Sequence, residues 1–314
     1  PLVVIALSRI LDGITGGNNA VAQAYVADIT THREKGWIFG TLGGITGLGM
    51  IIGPGIGGFL ASGPWGYLGV TICGALLSAI TLLSIHLSLS ESLPNHRRKP
   101  RRREPLSNTF RLIHRIKCLN PPTIIKQLFL VRALFSSMMA SYIATIALFM
   151  IDLFEFTPKT LGMFMFFVGF FLAFNQAVVS KWMVRQTNEL FTLKLGLALA
   201  SFGMVAISQT QSLWIYICFY YVLNLGVSLA IPTFHALVAQ HAGNRDTGEI
   251  MGIGDGIISL SNAVFPIFAA SIYAIIGATF FQCIASLPMF ALVTAWRIQL
   301  PQSKPDTKID RPQV

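Results

Sequence analysis

Charge is scarce in this chain. Lys, Arg, Asp and Glu make up 11% of its 314 residues, where a soluble domain carries about 25%. That composition excludes an ordinary soluble globular protein. Cysteine is scarcer still: Cys73, Cys118, Cys218 and Cys283 are scattered with no CxxC pair. Neither a zinc site nor a disulfide framework is encoded at that spacing. No GxxxxGK[ST] loop occurs, so hydrolysis of a nucleotide at a P-loop is excluded. HExxH and GxSxG are also missing, as are paired soluble carboxylates. The expectation is a protein that is no enzyme and takes no cofactor and no metal. Any work it does would be driven by an ion gradient.

What is abundant is apolar surface. The chain is 53% hydrophobic, with a mean hydropathy of +0.63. About nine stretches approach the ~20 residues needed to cross a bilayer. We place them at 2–27, 37–62, 67–88, 128–151, 161–183, 191–209, 213–238, 248–275 and 278–297. The expected fold class is all-α, a polytopic membrane helical bundle with little chain left for a soluble domain.

The positive charges orient it. With the N-terminus outside, the inner segments hold Arg33 and Lys35, the run from Arg97 to Lys126, then Lys181, Arg185, Lys194, Arg245 and the tail from Arg297 to Arg311. Lys159 is alone among the outer ones, beside Asp152 and Glu155. This is the positive-inside pattern, and it accounts for most of the net charge of +10. The cluster HRRKPRRRE from His96 to Glu104 therefore reads as a topology determinant touching anionic lipid, with no nucleic-acid partner expected.

The segment GTLGGITGLGMIIGPGIGG, residues 40–58, packs nine glycines and Pro54 into one span. In water each helical glycine costs roughly 1 kcal/mol against alanine. In lipid, small residues let helix backbones approach closely, and neighbours can satisfy the carbonyl that a proline frees. Gly40, Gly49, Gly53, Pro54, Gly57 and Gly58 are thus read as a kinked helix forming a conformational seam.

Residues 26–60 also align without a gap against 238–272. Arg33/Arg245, Gly36/Gly248, Gly40/Gly252, Gly44/Gly256 and Pro54/Pro266 are among the identities. Both copies run from an inner loop outward, the pattern of a parallel repeat. Pro266 is accordingly assigned to the same seam.

Polar residues inside spans come next. Arg9, Asp12, Gly16, Asn19 and Gln23 recur three and four apart, so they share one helix face. Intramembrane charges normally face a bundle interior or a cavity, in pairs. Arg9 and Asp12 are either a proton-coupling pair, with Asp12 accepting the proton, or a neutralised pair that only ties helices together. Softer stripes are Tyr221, Asn224, Ser228 and His235; Asp255, Ser259 and Asn262; Asn175 with Gln176; and Ser137, Ser141, Tyr142 and Thr145.

RILDGITGGNNAVAQAYVADIT, residues 9–30, resembles the fourth helix of bacterial tetracycline/proton antiporters and related drug/proton antiporters of the major facilitator superfamily. Gly49-x3-Gly53-Pro54-x2-Gly57-Gly58 resembles the fifth-helix motif of the same antiporters, and the likeness continues into SESLPNHRRKP. One departure stands out: Asp12 occupies a place where the family usually has a small or amide residue. The resemblance implies a twelve-helix fold of two six-helix halves, of which this chain would hold helices four to twelve. Residues 1–88 would be the remainder of the first half and 89–127 a basic cytoplasmic loop. Residues 128–298 would form the second half and 299–314 a cytoplasmic tail. It further implies that Arg9 serves proton transfer. Since helices one, four, seven and ten line the cavity of this fold, Asn19, Gln23, Tyr142, Thr145, Tyr221 and Asn224 become the cavity-lining candidates.

The function implied is proton-coupled export of small amphipathic compounds by alternating access, in a bacterial inner membrane, by a monomer whose partners are substrate, protons and lipids. Two other readings stay open: an uptake symporter for a small polar metabolite, and an inactive remnant or membrane scaffold. With three helices expected to be missing, the 314 residues alone are expected not to transport. The ninth span holds no carboxylate where tetracycline exporters carry one, and Glu189 only borders it, which argues against tetracycline as the substrate.

Overall fold

The structure is a computed structural model that describes residues 35–91, 121–241 and 247–298, with isolated positions before residue 35. The described elements are α1 (Lys35–Ala61), α2 (Gly66–Ser88), α3 (Thr123–Phe154), α4 (Pro158–Phe174), α5 (Lys181–Gln186), α6 (Glu189–Ser208), α7 (Leu213–His241), α8 (Thr247–Ile276) and α9 (Thr279–Trp296). A π-helical turn, Asn175–Ser180, joins α4 to α5. Among the described residues, seven helical stretches are long and apolar enough to cross a membrane. These seven, together with α1, fall on the last eight predicted spans to within a few residues. The first predicted span, 2–27, lies mostly outside the described residues, as do most of the inter-half loop and the tail.

The helices start and stop for local reasons. Asn188 caps α6 by accepting the backbone N–H of Phe191 at 2.8 Å, one of the orphan donors of a helix start. Pro122 precedes α3, where its missing N–H costs nothing. The turns between α1 and α2 and between α8 and α9 pass through Gly66 (φ 52°) and Gly277 (φ 57°), a conformation that glycine adopts freely. The repeat seen in the sequence is thus built in helices. α1 and α8 begin at residues 35 and 247, 212 apart, and each carries its proline inside, Pro54 and Pro266.

Packing divides the chain into two compact units. The first comprises Pro1–Glu104 with Pro158–Gly169, and the second Pro105–Thr157 with Phe170–Val314. The opening of α4 therefore groups with α1 and α2, a grouping that differs from the sequence division at residues 88 and 128. In the first unit α1 packs on α2, and no residue of α2 is buried. In the second unit α3 packs on α8 and α9, α9 on α6, α6 on α7, and α7 on the π turn. The α6–α7 contact is backbone-close: a Cβ on Gly226 would lie 2.5 Å from the Ala200 nitrogen, and one on Gly196 2.8 Å from the Gly226 carbonyl. Small residues at a membrane helix crossing gain van der Waals contact where the hydrophobic effect offers none.

Candidate functional site

The polar centre of the second unit sits where α7 meets the π turn. Tyr221 donates its hydroxyl to Asn175 Oδ1 at 3.2 Å, and Asn175 Nδ2 reaches Asn224 Oδ1 at 3.5 Å. Ser228, one turn on, donates to the Asn224 carbonyl at 2.7 Å and lies 3.5 Å from its Oδ1. Asn175 and Asn224 are buried, and Tyr221 is partly exposed, edge-on to Phe171 at 5.3 Å. The wide turn that starts at Asn175 delivers its amide to α7. Such turns are rare and concentrate at functional places.

An aromatic cluster adjoins this centre. Tyr142 of α3 stacks on Tyr220 at 6.1 Å, Tyr216 stacks on Tyr220 at 6.0 Å, and Phe281 of α9 meets Tyr142 edge-on at 6.0 Å. Tyr220 thus stacks on both Tyr142 and Tyr216, and Asn224 follows it one turn on in α7. Tyr142, Tyr221 and Asn224 of the expected cavity set are therefore brought into one connected group. Thr145 is not: it is fully buried and donates back to the Ser141 carbonyl of its own helix at 2.9 Å. Counting along the repeat, Tyr221 and Asn224 stand 212 residues after Arg9 and Asp12, and Ser228 and His235 stand 212 after Gly16 and Gln23. Arg9, Asp12, Asn19 and Gln23 themselves lie outside the described residues.

The glycine seam is resolved in part. A Cβ on Gly58 would lie 2.6 Å from the Pro158 carbonyl and 2.7 Å from Gly162 Cα. One on Gly162 would lie 2.7 Å from both Gly58 Cα and the Pro54 carbonyl. Here α1 and the opening of α4 touch backbone to backbone, and no side chain fits between them. Gly55 lies against the Phe166 ring, whereas Gly49, Gly53 and Gly57 face open space. Gly40 lies within α1. Pro266, half-buried, lies within α8 in the second unit.

The sequence reading passed over Arg132. It sits in α3 at 7% exposure, with its guanidinium carbon 4.8 Å above the Phe234 ring. Its charge is felt by His235 of α7, and Asp255 of α8 acts on both. The signal was present, since Arg132 is a charge inside a predicted span, and such a charge is functional by default. The neighbouring basic run masked it. Tyr216 and Tyr220 were likewise passed over, being indistinguishable by sequence from packing aromatics.

A cavity of about 580 Å³ lies in the first unit, walled by Phe59, Trp65, Ile72, Leu76 and Cys73 with Lys159 at its edge. A small-molecule site needs several converging polar groups to orient its ligand. This cavity offers only one charged side chain, so we place the candidate site elsewhere.

A bundle of membrane-spanning helices with a parallel internal repeat and a polar centre defines a polytopic membrane transport protein. The profile of the Major Facilitator Superfamily matches residues 1–266. The chain belongs to that superfamily. It is 25% identical over 278 residues to the class C tetracycline resistance protein of Escherichia coli, covering 88% of this chain and 68% of that one. It is 24% identical over 305 residues to the major facilitator superfamily domain-containing protein 10 of Homo sapiens, covering 91% and 65%. Its fold is similar to the crystal structure of the human organic anion transporter MFSD10 (TETRAN), with a TM-score of 0.71, 22% identity, and coverage of 94% of this chain and 71% of that one. The protein is therefore an integral membrane transporter of small-molecule substrates.

Proposed function

We propose that the chain is a monomeric exporter that exchanges protons for small amphipathic compounds by alternating access in a bacterial inner membrane. The observation that carries this reading is the crossing at Gly58 and Gly162. Two helices meeting through bare backbone can shift against each other without repacking side chains, and alternating access needs such a joint. Gly58 and Pro54 belong to the segment that resembles the antiporter motif. The tetracycline resistance relatives support export, and they support a bacterial membrane.

Proton coupling is assigned to Arg9 and Asp12. A carboxylate beside a guanidinium can take up a proton in one state and release it in the other. The substrate path is assigned to Asn19, Gln23, Tyr142, Tyr221 and Asn224. Within α6 the only carboxylate is Glu189, at its first position, where it accepts from Gln240 Nε2 at 2.9 Å. That favours compounds other than tetracycline.

The test is dye retention in cells expressing the natural reading frame, using anionic, neutral and cationic amphipathic dyes in turn. At least one dye should be retained less than in empty-vector cells, and a protonophore should erase the difference. Equal retention of every dye contradicts export. A difference that survives the protonophore contradicts proton coupling.

A further inference from the structure

Arg132 poses a question that the path through Tyr142 and Asn224 does not answer. It lies ten residues before Tyr142 on α3, about 15 Å along the helix axis. α3 has 32 residues, longer than the ~20 needed for the hydrocarbon core. Arg132 therefore lies toward the end of the span that the positive charges assign to the inside. It is 93% buried by its 7% exposure. Its Nε is buried with no hydrogen-bond partner, and among the described residues no carboxylate stands within ion-pair distance of it. The guanidinium carbon lies over the face of Phe234 at 4.8 Å. Beside Phe234 stands the half-buried ring of His235, and the charge of Asp255 of α8, whose side chain is exposed, acts on that ring and on the guanidinium.

A guanidinium largely withdrawn from water, whose one acting carboxylate is exposed and makes no ion pair with it, is expensive. Tucking its face over an aromatic ring offsets only part of that cost. The edge that carries Nε still needs an acceptor, and guanidinium geometry suits a planar or tetrahedral oxyanion, which it can grip with two parallel N–H donors. Phe234 supplies an apolar wall next to the charge, and His235 a further ring nitrogen. The arrangement is an apolar surface with one strong anion-seeking group, which matches a ligand having a greasy body and an acidic end.

We propose that Arg132, with Phe234 and His235 beside it, holds the carboxylate or phosphate of an amphipathic anion. Asp255 is the built-in competitor, near enough for its charge to be felt but too far to satisfy the guanidinium. The inference rests on the reading of this bundle as a carrier of small amphipathic compounds and narrows their chemistry to acids. The same oxyanion chemistry is offered by a soluble acid and by an anionic lipid headgroup.

The experiment is equilibrium dialysis of the protein of the natural reading frame in phosphatidylcholine nanodiscs against 1-naphthylacetate and its neutral counterpart 1-naphthylacetamide. Wild type should bind the acid about tenfold more tightly than the amide, the discrimination expected of a hydrogen-bonded charge. Arg132→Gln should erase that preference and Arg132→Lys retain part of it. Asp255→Asn should tighten acid binding by about threefold, the size of a weak competing ion pair. Equal binding of acid and amide by wild type, or a preference that survives Arg132→Gln, overturns the proposal. If Arg132→Gln does not fold, unchanged or weaker acid binding in Asp255→Asn overturns it instead. Repeating the wild-type measurement with phosphatidylglycerol in the disc separates the sources. Loss of acid binding identifies the occupant as a lipid phosphate, and undiminished binding identifies it as a soluble acid; both place an anion at Arg132. Because binding is read without flux, a protein of the natural reading frame that prefers the acid but moves nothing refutes the transport reading and leaves the site standing.

Discussion

Asn224 ties α7 to the π turn. It accepts from Asn175 on one side, lies beside Tyr220 on another, and its carbonyl receives Ser228. An interhelical hydrogen bond in a membrane protein is worth about 0.6 kcal/mol on average. Replacing Asn224 by Leu should therefore lower stability by roughly 1 kcal/mol, read as a lowered thermal unfolding midpoint, and should reduce transport. Thr145→Val should leave transport within about twofold, because among the described residues the Thr145 hydroxyl bonds only to its own helix. Equal losses in the two variants, read as compound efflux, would refute the distinction. The sequence placed both residues on inward faces, and helical periodicity could do no more. Whether a threonine bonds forward into a cavity or back to its own carbonyl depends on what the neighbouring helix presents. For the same reason Asn175 stood out as a polar residue among phenylalanines, but its reach to Tyr221 did not. The π turn that aims it has no compositional mark.

Among the elements, α1 and the opening of α4 cross backbone to backbone in the first unit. Gly58→Leu would force a side chain to within 2.6 Å of the Pro158 carbonyl, and backbone cannot move aside cheaply. The helices must separate, at an overpacking cost of about 1–3 kcal/mol, and compound efflux should fall sharply. Gly57→Ala, one residue away with open space before it, should leave both stability and efflux near wild type. A harmless Gly58→Leu would remove the seam from the account. The glycine run announced a close crossing in the sequence itself, because small residues let membrane helices approach closely. It did not announce which glycine makes the contact, since that depends on the rotation of α1 about its own axis. Helix positions were legible for a related reason: a membrane fixes both the length and the polarity of each span.

For the whole molecule, the repeat ties the two arguments together. Upstream of the aligned residues 26–60, the same offset of 212 sets Arg9 and Asp12 against Tyr221 and Asn224, so charge on one side meets neutral hydrogen-bonding groups on the other. A transporter built this way would titrate in its first half and hold substrate largely in its second. The sequence showed the repeat and the charged pair, but a proton path is a property of paired states, which a string of residues does not display.

The most direct measurement is collapse of a preformed pH gradient in everted vesicles carrying the natural reading frame, with amphipathic compounds added one at a time to wild type and to Asp12→Asn. The account predicts compound-dependent proton release in wild type and its loss in the variant. Release that survives Asp12→Asn would contradict the assignment of the proton to Asp12. No release with any compound would contradict proton-coupled export altogether.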